Sequence, residues 1–149
     1  MKIREVETDK KQYLDLLLLA DEQENMIDRY LERGAMYVLE DDGVKAECVV
    51  TDEGGGVLEL KNIAVKPNVQ RKGYGKALVD FLIRTYIGQY TVLQVGTGDS
   101  PCTISFYESC GFRRHHTVQN FFTDHYDHPI CECGIQLVDM VYLQRKIGT

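Results

Sequence analysis

The sequence predicts an α+β fold in α/β/α layers, in which a mixed, mostly antiparallel sheet carries helices on both faces. Segments that alternate apolar and polar residues over the length of a strand flank segments whose apolar residues recur at helical spacing. Two of the strand segments are separated by Asp41-Asp42-Gly43, a strong hairpin turn signal. No linker, repeat or low-complexity tract divides the chain, so the 149 residues are expected to form a single domain.

The N-terminal part predicts one strand followed by two helices. Lys2 to Val6 alternates like a strand, and Asp9 is suited to cap a helix that runs through Leu18. A second helix is expected from Glu22 to Glu32 and ends at Gly34. Its inward-facing residues are expected to be Met26, Ile27, Tyr30 and Leu31.

A three-strand meander is expected next, and it leads into a further helix. Its strands are Met36 to Glu40, Val44 to Thr51 and Val57 to Val65, and the last two are joined by a turn with three glycines. The apolar residues of the following helix are Ala77, Leu78, Phe81 and Leu82, which recur at helical spacing.

The C-terminal third predicts three strands and one helix. Thr91 to Val95 is a short strand, and Pro101 to Cys110 is a helix that stops at Gly111. Strands from Phe112 to about Phe122 and from Ile135 to about Gln144 complete the sheet. The long connection between them is expected to act as a lid or a binding loop, and an exposed final strand would allow two copies to pair as a homodimer.

Composition excludes several classes of protein. The net charge is −6 and no basic patch is present, which argues against a nucleic-acid partner and mildly favours an amine substrate. No apolar run approaches the length of a membrane helix. The first residues, Met1-Lys2-Ile3-Arg4-Glu5, lack the apolar region of a secretory signal, so we expect a cytoplasmic location and no membrane partner.

The five cysteines form an odd set without the spacing of a disulfide framework, which predicts free thiols in a reducing compartment. Cys131-x-Cys133 lacks the spacing of a zinc knuckle and is expected to alternate in a strand, so no metal is predicted. Cys102 and Cys110 flank the predicted helix and are expected to be small core residues.

The most informative segment is the glycine-spaced loop Gln70-Arg71-Lys72-Gly73-Tyr74-Gly75-Lys76, which lies between a predicted strand and a predicted helix. Backbone N–H groups at a helix start have no intrahelical partner and are available to an anion. The two glycines let the backbone approach a phosphate and adopt dihedral angles that other residues resist. A P-loop needs Ser or Thr at the position of Ala77, and a dinucleotide fingerprint needs Gly at the position of Leu78. The loop therefore predicts a pyrophosphate cradle of another kind, with a plain strand-to-helix turn as the alternative.

The order of elements and two motifs together resemble the GNAT superfamily of acyl-CoA-dependent N-acetyltransferases. The first motif is Gln70 to Gly75, and the second is Ser105-Phe106-Tyr107-Glu108-Ser109-Cys110-Gly111-Phe112, which looks like the F-Y-x-x-x-G-F segment of that family. The resemblance implies that acetyl-CoA is the cosubstrate, with its pyrophosphate on the loop and its pantetheine arm in a splay between two strands. The residues it implies for coenzyme binding are Ile63, Ala64, Val65, Gln70, Arg71, Lys72, Gly73, Tyr74, Gly75, Lys76 and Ser100, although Ser100 is also a good helix cap.

The resemblance also implies direct transfer of an acetyl group to a primary amine of a small molecule or a protein. Glu59 lies where some members carry a general base, and burial there would raise the pKa of its carboxyl. A water chain and a solvated surface carboxylate are the alternatives for Glu59. Tyr107 occupies the position of the general acid that protonates the leaving thiolate, or is only a core tyrosine.

Two other classes of function stay open at this point. One is a non-catalytic acyl-CoA-binding module, and the other is a structural or interaction protein whose loop is empty. The acceptor amine is not identified by the sequence. The residues placed near it by their location are Tyr13, Glu22, Glu24, Phe121, Phe122, His125 and Tyr126.

Overall fold

A seven-stranded sheet runs through the computed structural model, which describes residues 1–148. The elements in chain order are β1 (Lys2–Val6), α1 (Leu14–Ala20), α2 (Glu24–Ile27), β2 (Ala35–Glu40), β3 (Val44–Asp52), β4 (Val57–Val65), α3 (Tyr74–Tyr86), β5 (Val92–Gly98), α4 (Pro101–Ser109), β6 (Arg113–Val118), α5 (Phe121–His125), β7 (Cys131–Glu132), β8 (Ile135–Gln136) and β9 (Met140–Lys146). Strands are ordered β1-β2-β3-β4-β5-β9-β6, and every pair in this sheet is antiparallel except β4 with β5.

Helices cover both faces of the sheet because its strands alternate their apolar side chains between the two faces. On one face, Leu17 of α1 and Ile27 of α2 pack in a cluster with Val49 of β3. On the other face, Leu82 of α3 belongs to a larger cluster with Leu93 of β5. Within residues 1–148, no helix combines the length and the hydrophobicity needed to span a membrane.

The second helix is shorter than predicted, although its inward residues are correct. It ends at Ile27, and turns continue to Gly34. The buried amino group of Lys10 donates hydrogen bonds to the carbonyl oxygens of Leu31, at 2.9 Å, and Gly34, at 2.6 Å. These carbonyls are therefore satisfied by a side chain rather than by continuation of the helix. All four residues predicted to face inward are buried: Met26, Ile27, Tyr30 and Leu31.

The predicted capping role of Asp9 is wrong. Its side chain makes no cap hydrogen bond, and its backbone is left-handed with φ of 51°. Its carbonyl oxygen instead accepts a hydrogen bond from the Gln12 amide at 3.1 Å, which starts a 3-10 turn that precedes α1.

The C-terminal third departs most from the prediction. The strand expected to reach Phe122 stops at Val118, because Asn120 is left-handed with φ of 59° and its amide donates to Asp139 Oδ1 at 2.9 Å. The β7–β8 hairpin then intervenes before β9 begins at Met140. The final strand is also not exposed as predicted, since β9 lies between β5 and β6, so the free edges are β1 and β6.

The prediction that all five cysteines are free thiols is wrong. A disulfide joins Cys102, at the start of α4, to Cys133, which lies in the turn of the β7–β8 hairpin. Cys102 is exposed rather than a core residue, whereas Cys110 is buried as predicted. A pairing across 31 residues depends on where the hairpin folds back, which spacing alone does not reveal. The cytoplasmic location stays a prediction that the cysteines no longer support.

Candidate active site

A groove of about 590 Å³ opens where β4 and β5 separate. The two strands pair only from Val57 with Val92 to Leu60 with Val95, and β5 then continues beside β9 alone. The register between β3 and β4 shifts at this point and leaves Lys61 of β4 as an extra residue, because the consecutive β3 residues Val49 and Val50 face Asn62 and Leu60. Such a bulge re-aims the side chains that follow it. The splay predicted between these strands is therefore present.

The glycine-spaced loop forms one end of the groove. Its backbone is left-handed at Arg71, with φ of 65°, and at Gly73, with φ of 87°, and α3 begins directly after it. The first helical hydrogen bond runs from the Ala77 amide to the Gly73 carbonyl oxygen at 2.9 Å. The amides of residues 74–76 precede that bond, so they have no intrahelical acceptor and are available to an anion.

The two glycines of the loop serve different purposes. Gly73 requires its positive φ, and a Cβ placed there would meet nothing within 4 Å. Gly75 has no such φ, but a Cβ there would lie 3.1 Å from Phe106 Cζ. Gly75 therefore allows α3 to approach α4 closely. The unusual dihedral angle predicted for both glycines is present at Gly73 and absent at Gly75.

Tyr107 lies on α4 and lines the groove. Only 5% of the residue is exposed, and its ring packs edge-on against Phe106 and Phe112, with centroids 5.2 Å and 5.6 Å away. Burial raises the pKa of its hydroxyl well above the ordinary value. The side chain is thus both a core residue and a groove residue, and its hydroxyl stays protonated at neutral pH.

Glu59 lies on β4 and is held by two partners. Its Oε1 accepts a hydrogen bond from Gln94 Nε2 at 2.6 Å, and its Oε2 forms an ion pair with Lys61 Nζ at 2.6 Å. Gln94 is held in turn by the side-chain amide of Gln144 at 2.7 Å. Because Glu59 is only 5% exposed, the alternative of a solvated surface carboxylate is wrong.

A second cavity of about 270 Å³ begins at Glu59 and meets the groove. The residues that line both spaces are Leu60, Lys61 and Gly96. The remaining walls of the second cavity are mainly aromatic and charged: Asp21, Met26, Arg29, Tyr30, Arg33, Phe121, Tyr126, Met140 and Tyr142. A molecule in this cavity would therefore reach the groove beside Lys61.

A sequence model described as the acetyltransferase (GNAT) domain matches residues 32–114, more than half of the chain. The chain belongs to the GNAT acetyltransferase family. It is 41% identical over 140 residues to an uncharacterized N-acetyltransferase, YvbK, from Bacillus subtilis strain 168, and the match covers 92% of this chain and 90% of that protein.

Solved structures agree with this membership of the GNAT family. A Bacillus subtilis acetyltransferase in complex with CoA is 38% identical, with a TM-score of 0.88 and 97% of each chain covered. A GNAT family acetyltransferase from Elizabethkingia anophelis with acetyl-CoA bound is 33% identical, with a TM-score of 0.91 and 97% of each chain covered. The predicted fold class, family and enzyme class are confirmed, and the alternative of a non-catalytic acyl-CoA-binding module is not favoured.

Most residues predicted to bind the coenzyme line the groove of this GNAT acetyltransferase: Ile63, Ala64, Val65, Gln70, Arg71, Gly73, Tyr74, Gly75 and Lys76. The Tyr74 hydroxyl already has a partner within the protein, because it donates to Asp41 Oδ2 at 2.6 Å. Lys72 is exposed on the same loop but outside the groove lining. Ser100 is fully buried, lies outside that lining and makes no cap hydrogen bond.

The residues predicted to lie near the acceptor fall into two groups. Phe121 and Tyr126 line the second cavity, and Glu22 and Phe122 line a neighbouring cavity of about 410 Å³ that also meets the groove at Lys61. Those that line neither cavity are Tyr13, Glu24 and His125. Tyr13 instead accepts a hydrogen bond from Arg4, and Glu24 is paired with Lys11.

Several residues that line the groove or the second cavity of this GNAT enzyme were not predicted from the sequence. Gly96 had a usable signal, since a glycine inside a strand often marks a close approach, and a Cβ there would lie 2.7 Å from Met140 Sδ. Lys61 and Tyr142 had no such signal in the sequence. A bulge in β4 sets the position of Lys61, and Tyr142 lies on the distant strand β9. Within residues 1–148, no three His, Cys, Asp or Glu side chains gather as a metal site.

The β7–β8 hairpin also borders the groove, and two links fasten it to α4. One is the disulfide from Cys102 to Cys133, and the other is a hydrogen bond from Thr103 Oγ1 to Glu132 Oε1 at 2.6 Å. Cys102, Thr103 and Glu132 all line the groove. The connection expected to act as a lid or binding loop therefore contributes to the site through this hairpin.

Proposed function

We propose that the chain moves an acetyl group from acetyl-CoA directly to a primary amine of a small molecule or a protein. The observation that carries the proposal is one continuous groove, which joins the unpaired amides of residues 74–76 to Tyr107 and meets a second cavity at Lys61. The similar acetyltransferases that hold CoA and acetyl-CoA support the choice of coenzyme.

The pyrophosphate of the coenzyme would bind the loop and the start of α3. Each charge-assisted hydrogen bond contributes roughly 1.5–3 kcal/mol, whereas the dipole of a helix adds only about 0.3–1 kcal/mol. Several directed amides therefore anchor the ligand more strongly than the helix field does. The pantetheine arm would lie along residues 61–65 of β4, whose edge beyond Leu60 has no β5 partner.

The reaction forms a bond between the amine nitrogen and the acetyl carbon, breaks the thioester C–S bond and moves two protons. An amine with a pKa near 10.4 is mostly protonated at pH 7, so freeing its lone pair costs roughly 4–5 kcal/mol. Glu59 would accept that proton, directly or through water, from an amine in the second cavity. Tyr107 would donate a proton to the departing thiolate.

A screen of primary amines with acetyl-CoA tests the proposal, because transfer releases one free thiol for each acetylated amine. We expect thiol release with some amines and mass spectra that show the acetylated product. Binding of acetyl-CoA without turnover would instead indicate a binding module. The absence of any thermal shift would show an empty loop, since ligand at about 100 Kd adds roughly 2.7 kcal/mol of stability.

Replacing Glu59 with Gln should lower kcat/KM by about 100-fold near neutral pH, which is within the usual contribution of a general base. The deficit should shrink as pH approaches the pKa of the acceptor, because more of the amine is then already deprotonated. Rates measured between pH 6 and pH 10 check this result. Glu53→Gln is the matched control, because that carboxylate pairs with Arg33 and lies outside both the groove and the second cavity. A constant deficit at every pH would contradict the assignment.

Replacing Gly73 with Ala should raise KM for acetyl-CoA by about tenfold, because a left-handed backbone costs a non-glycine residue roughly 1–2 kcal/mol and the loop would relax. Gly54→Ala is a matched control with φ of 83° and the same open surroundings, in a turn outside the groove. Both variants should lose similar stability, but only Gly73→Ala should change KM. An equal KM in the two variants would exclude the loop as the cradle.

A further inference from the structure

The second cavity is small, but five charged side chains line it. Two carboxylates and three cationic side chains line it: Asp21, Glu59, Arg29, Arg33 and Lys61. The lining is therefore positive overall, although the whole chain has a net charge of −6. This local excess of positive charge does not follow from the composition of the chain.

Internal partners account for every charge in the cavity except one. Asp21 accepts hydrogen bonds from the hydroxyls of Tyr126, at 2.8 Å, and Tyr30, at 3.2 Å. Arg33 pairs with Glu53 at 3.0 Å, and the Glu59 carboxylate is taken by the Lys61 amine. Arg33 and Lys61 are therefore already paired, and an anionic group of a ligand would gain little from either cation without breaking an existing ion pair.

Arg29 is the exception. Its guanidinium forms no ion pair with a carboxylate in residues 1–148, and its side-chain contact is to Met26 Sδ at 3.5 Å. Its charge favours the ionised forms of Asp21, Tyr126 and Tyr142, and so offsets part of the rise in pKa that burial causes in each. The guanidinium therefore lies among the groups that form the cavity wall and is free to bind an anion.

We propose that the acceptor is a small amine that also carries a carboxylate or a phosphate, and that Arg29 binds this anionic group. The inference rests on the proposed acetyl transfer and names its substrate class. A guanidinium presents a planar fork of donors that suits an oxyanion. With the anion on Arg29, the amine of a suitably long acceptor lies towards Lys61 and Gly96, where the cavity meets the groove. The aromatic walls, which include Tyr126 and Tyr142, would contact the body of the molecule.

Matched amines test this substrate class. Phenylalanine, 4-aminobutyrate and 6-aminohexanoate are compared with phenethylamine, propylamine and pentylamine, which lack the carboxylate, and phosphoethanolamine is compared with ethanolamine. The value of kcat/KM is calculated for the free-base concentration, because the pKa of the amine differs within each pair. We expect the anionic member of at least one pair to be about tenfold better, which is the effect of roughly 1.4 kcal/mol. The pair that shows the preference distinguishes a carboxylate from a phosphate.

Variants then assign the preference to one side chain. Arg29→Gln should bring the ratio of anionic to neutral amine close to one through a higher KM for the anionic member, and Arg29→Lys should keep part of the ratio. Arg33→Gln is the control inside the same cavity and should keep the ratio, because that guanidinium is already paired with Glu53.

The outcomes separate this inference from the proposed function. If none of the tested amines causes release of free thiol from acetyl-CoA, the acetyl transfer itself is refuted. Turnover of neutral amines that equals or exceeds that of their anionic partners would refute only the substrate class. A ratio unchanged in Arg29→Gln, or lost in Arg33→Gln, would refute the role of Arg29.

Discussion

Replacing Tyr107 with Phe should lower kcat at least tenfold, within the usual contribution of a general acid, while the Kd for acetyl-CoA stays nearly unchanged. The substitution removes one hydroxyl and keeps the ring that packs against Phe106 and Phe112. The thiolate would then leave without a proton donor. Steady-state rates and calorimetric titration with acetyl-CoA measure the two quantities separately.

Tyr86→Phe is the matched control for this experiment. Tyr86 belongs to the same side of the core, and its hydroxyl is 2.7 Å from that of Tyr37. Neither residue lines the groove. Removal of that hydrogen bond should cost about 0.5–1.5 kcal/mol of stability without changing kcat. Equal turnover in the wild type and Tyr107→Phe would end the assignment of Tyr107 as the general acid.

Replacing Glu47 with Gln or Leu should stabilise the protein at neutral and alkaline pH. Glu47 is 0% exposed, and neither carboxylate oxygen has a hydrogen-bond partner in residues 1–148. It faces Val38 and Ala64 across the neighbouring strands β2 and β4. Burial without a cation raises the pKa of this carboxyl well above its ordinary value of 4.5, so the folded protein keeps the proton.

The sign of the pH dependence follows from that proton. Above about pH 4.5 the unfolded chain releases it and the folded protein does not, so unfolding becomes more favourable by about 1.4 kcal/mol per pH unit until the folded pKa is reached. Stability is therefore present below the unfolded pKa and is lost as pH rises towards the folded pKa. At pH 7 the loss amounts to at most about 3.4 kcal/mol, or roughly 7–14 °C in Tm.

Thermal unfolding from pH 5 to pH 9 checks this expectation through the difference in Tm between each variant and the wild type. The difference should grow with pH for both Glu47 variants and should be larger for Leu, which also removes the unpaired polar group. Glu108→Gln, at an exposed position, is the control and should show no such slope. A difference that stays constant with pH would mean that Glu47 is ionised in the folded protein.

Local sequence was sufficient to predict the backbone wherever neighbouring residues decide its conformation. The hairpin at Asp42 and Gly43 forms with positive φ at both positions, as the turn sequence requires. The bounds of β1 and β4 agree with their predicted strands, since alternation over five and nine residues is a strong signal. The loop before α3 likewise needs only a glycine with positive φ and a helix start, and both are present at Gly73 and Tyr74.

Contacts between distant segments decided what the sequence analysis missed or misjudged. Lys10 donates to the carbonyls of Leu31 and Gly34 in the turns that follow the shortened second helix. The disulfide from Cys102 to Cys133 depends on where a hairpin folds back. None of these partners lies within one helical turn or one strand of the residue it contacts. The periodicity of the sequence therefore does not predict these contacts.

By itself, the amino-acid sequence determined the layered α+β class, the glycine-spaced loop at residues 70–76 that precedes a helix, and the helix that carries Tyr107, because each depends on short-range pattern and spacing. Only the tertiary structure decided that Glu59 is buried against Gln94 and Lys61, and that Arg29 opens onto a cavity that joins the groove. The physical reason is that burial and charge pairing are set by strands and turns far apart in the chain, which meet only when the sheet has formed.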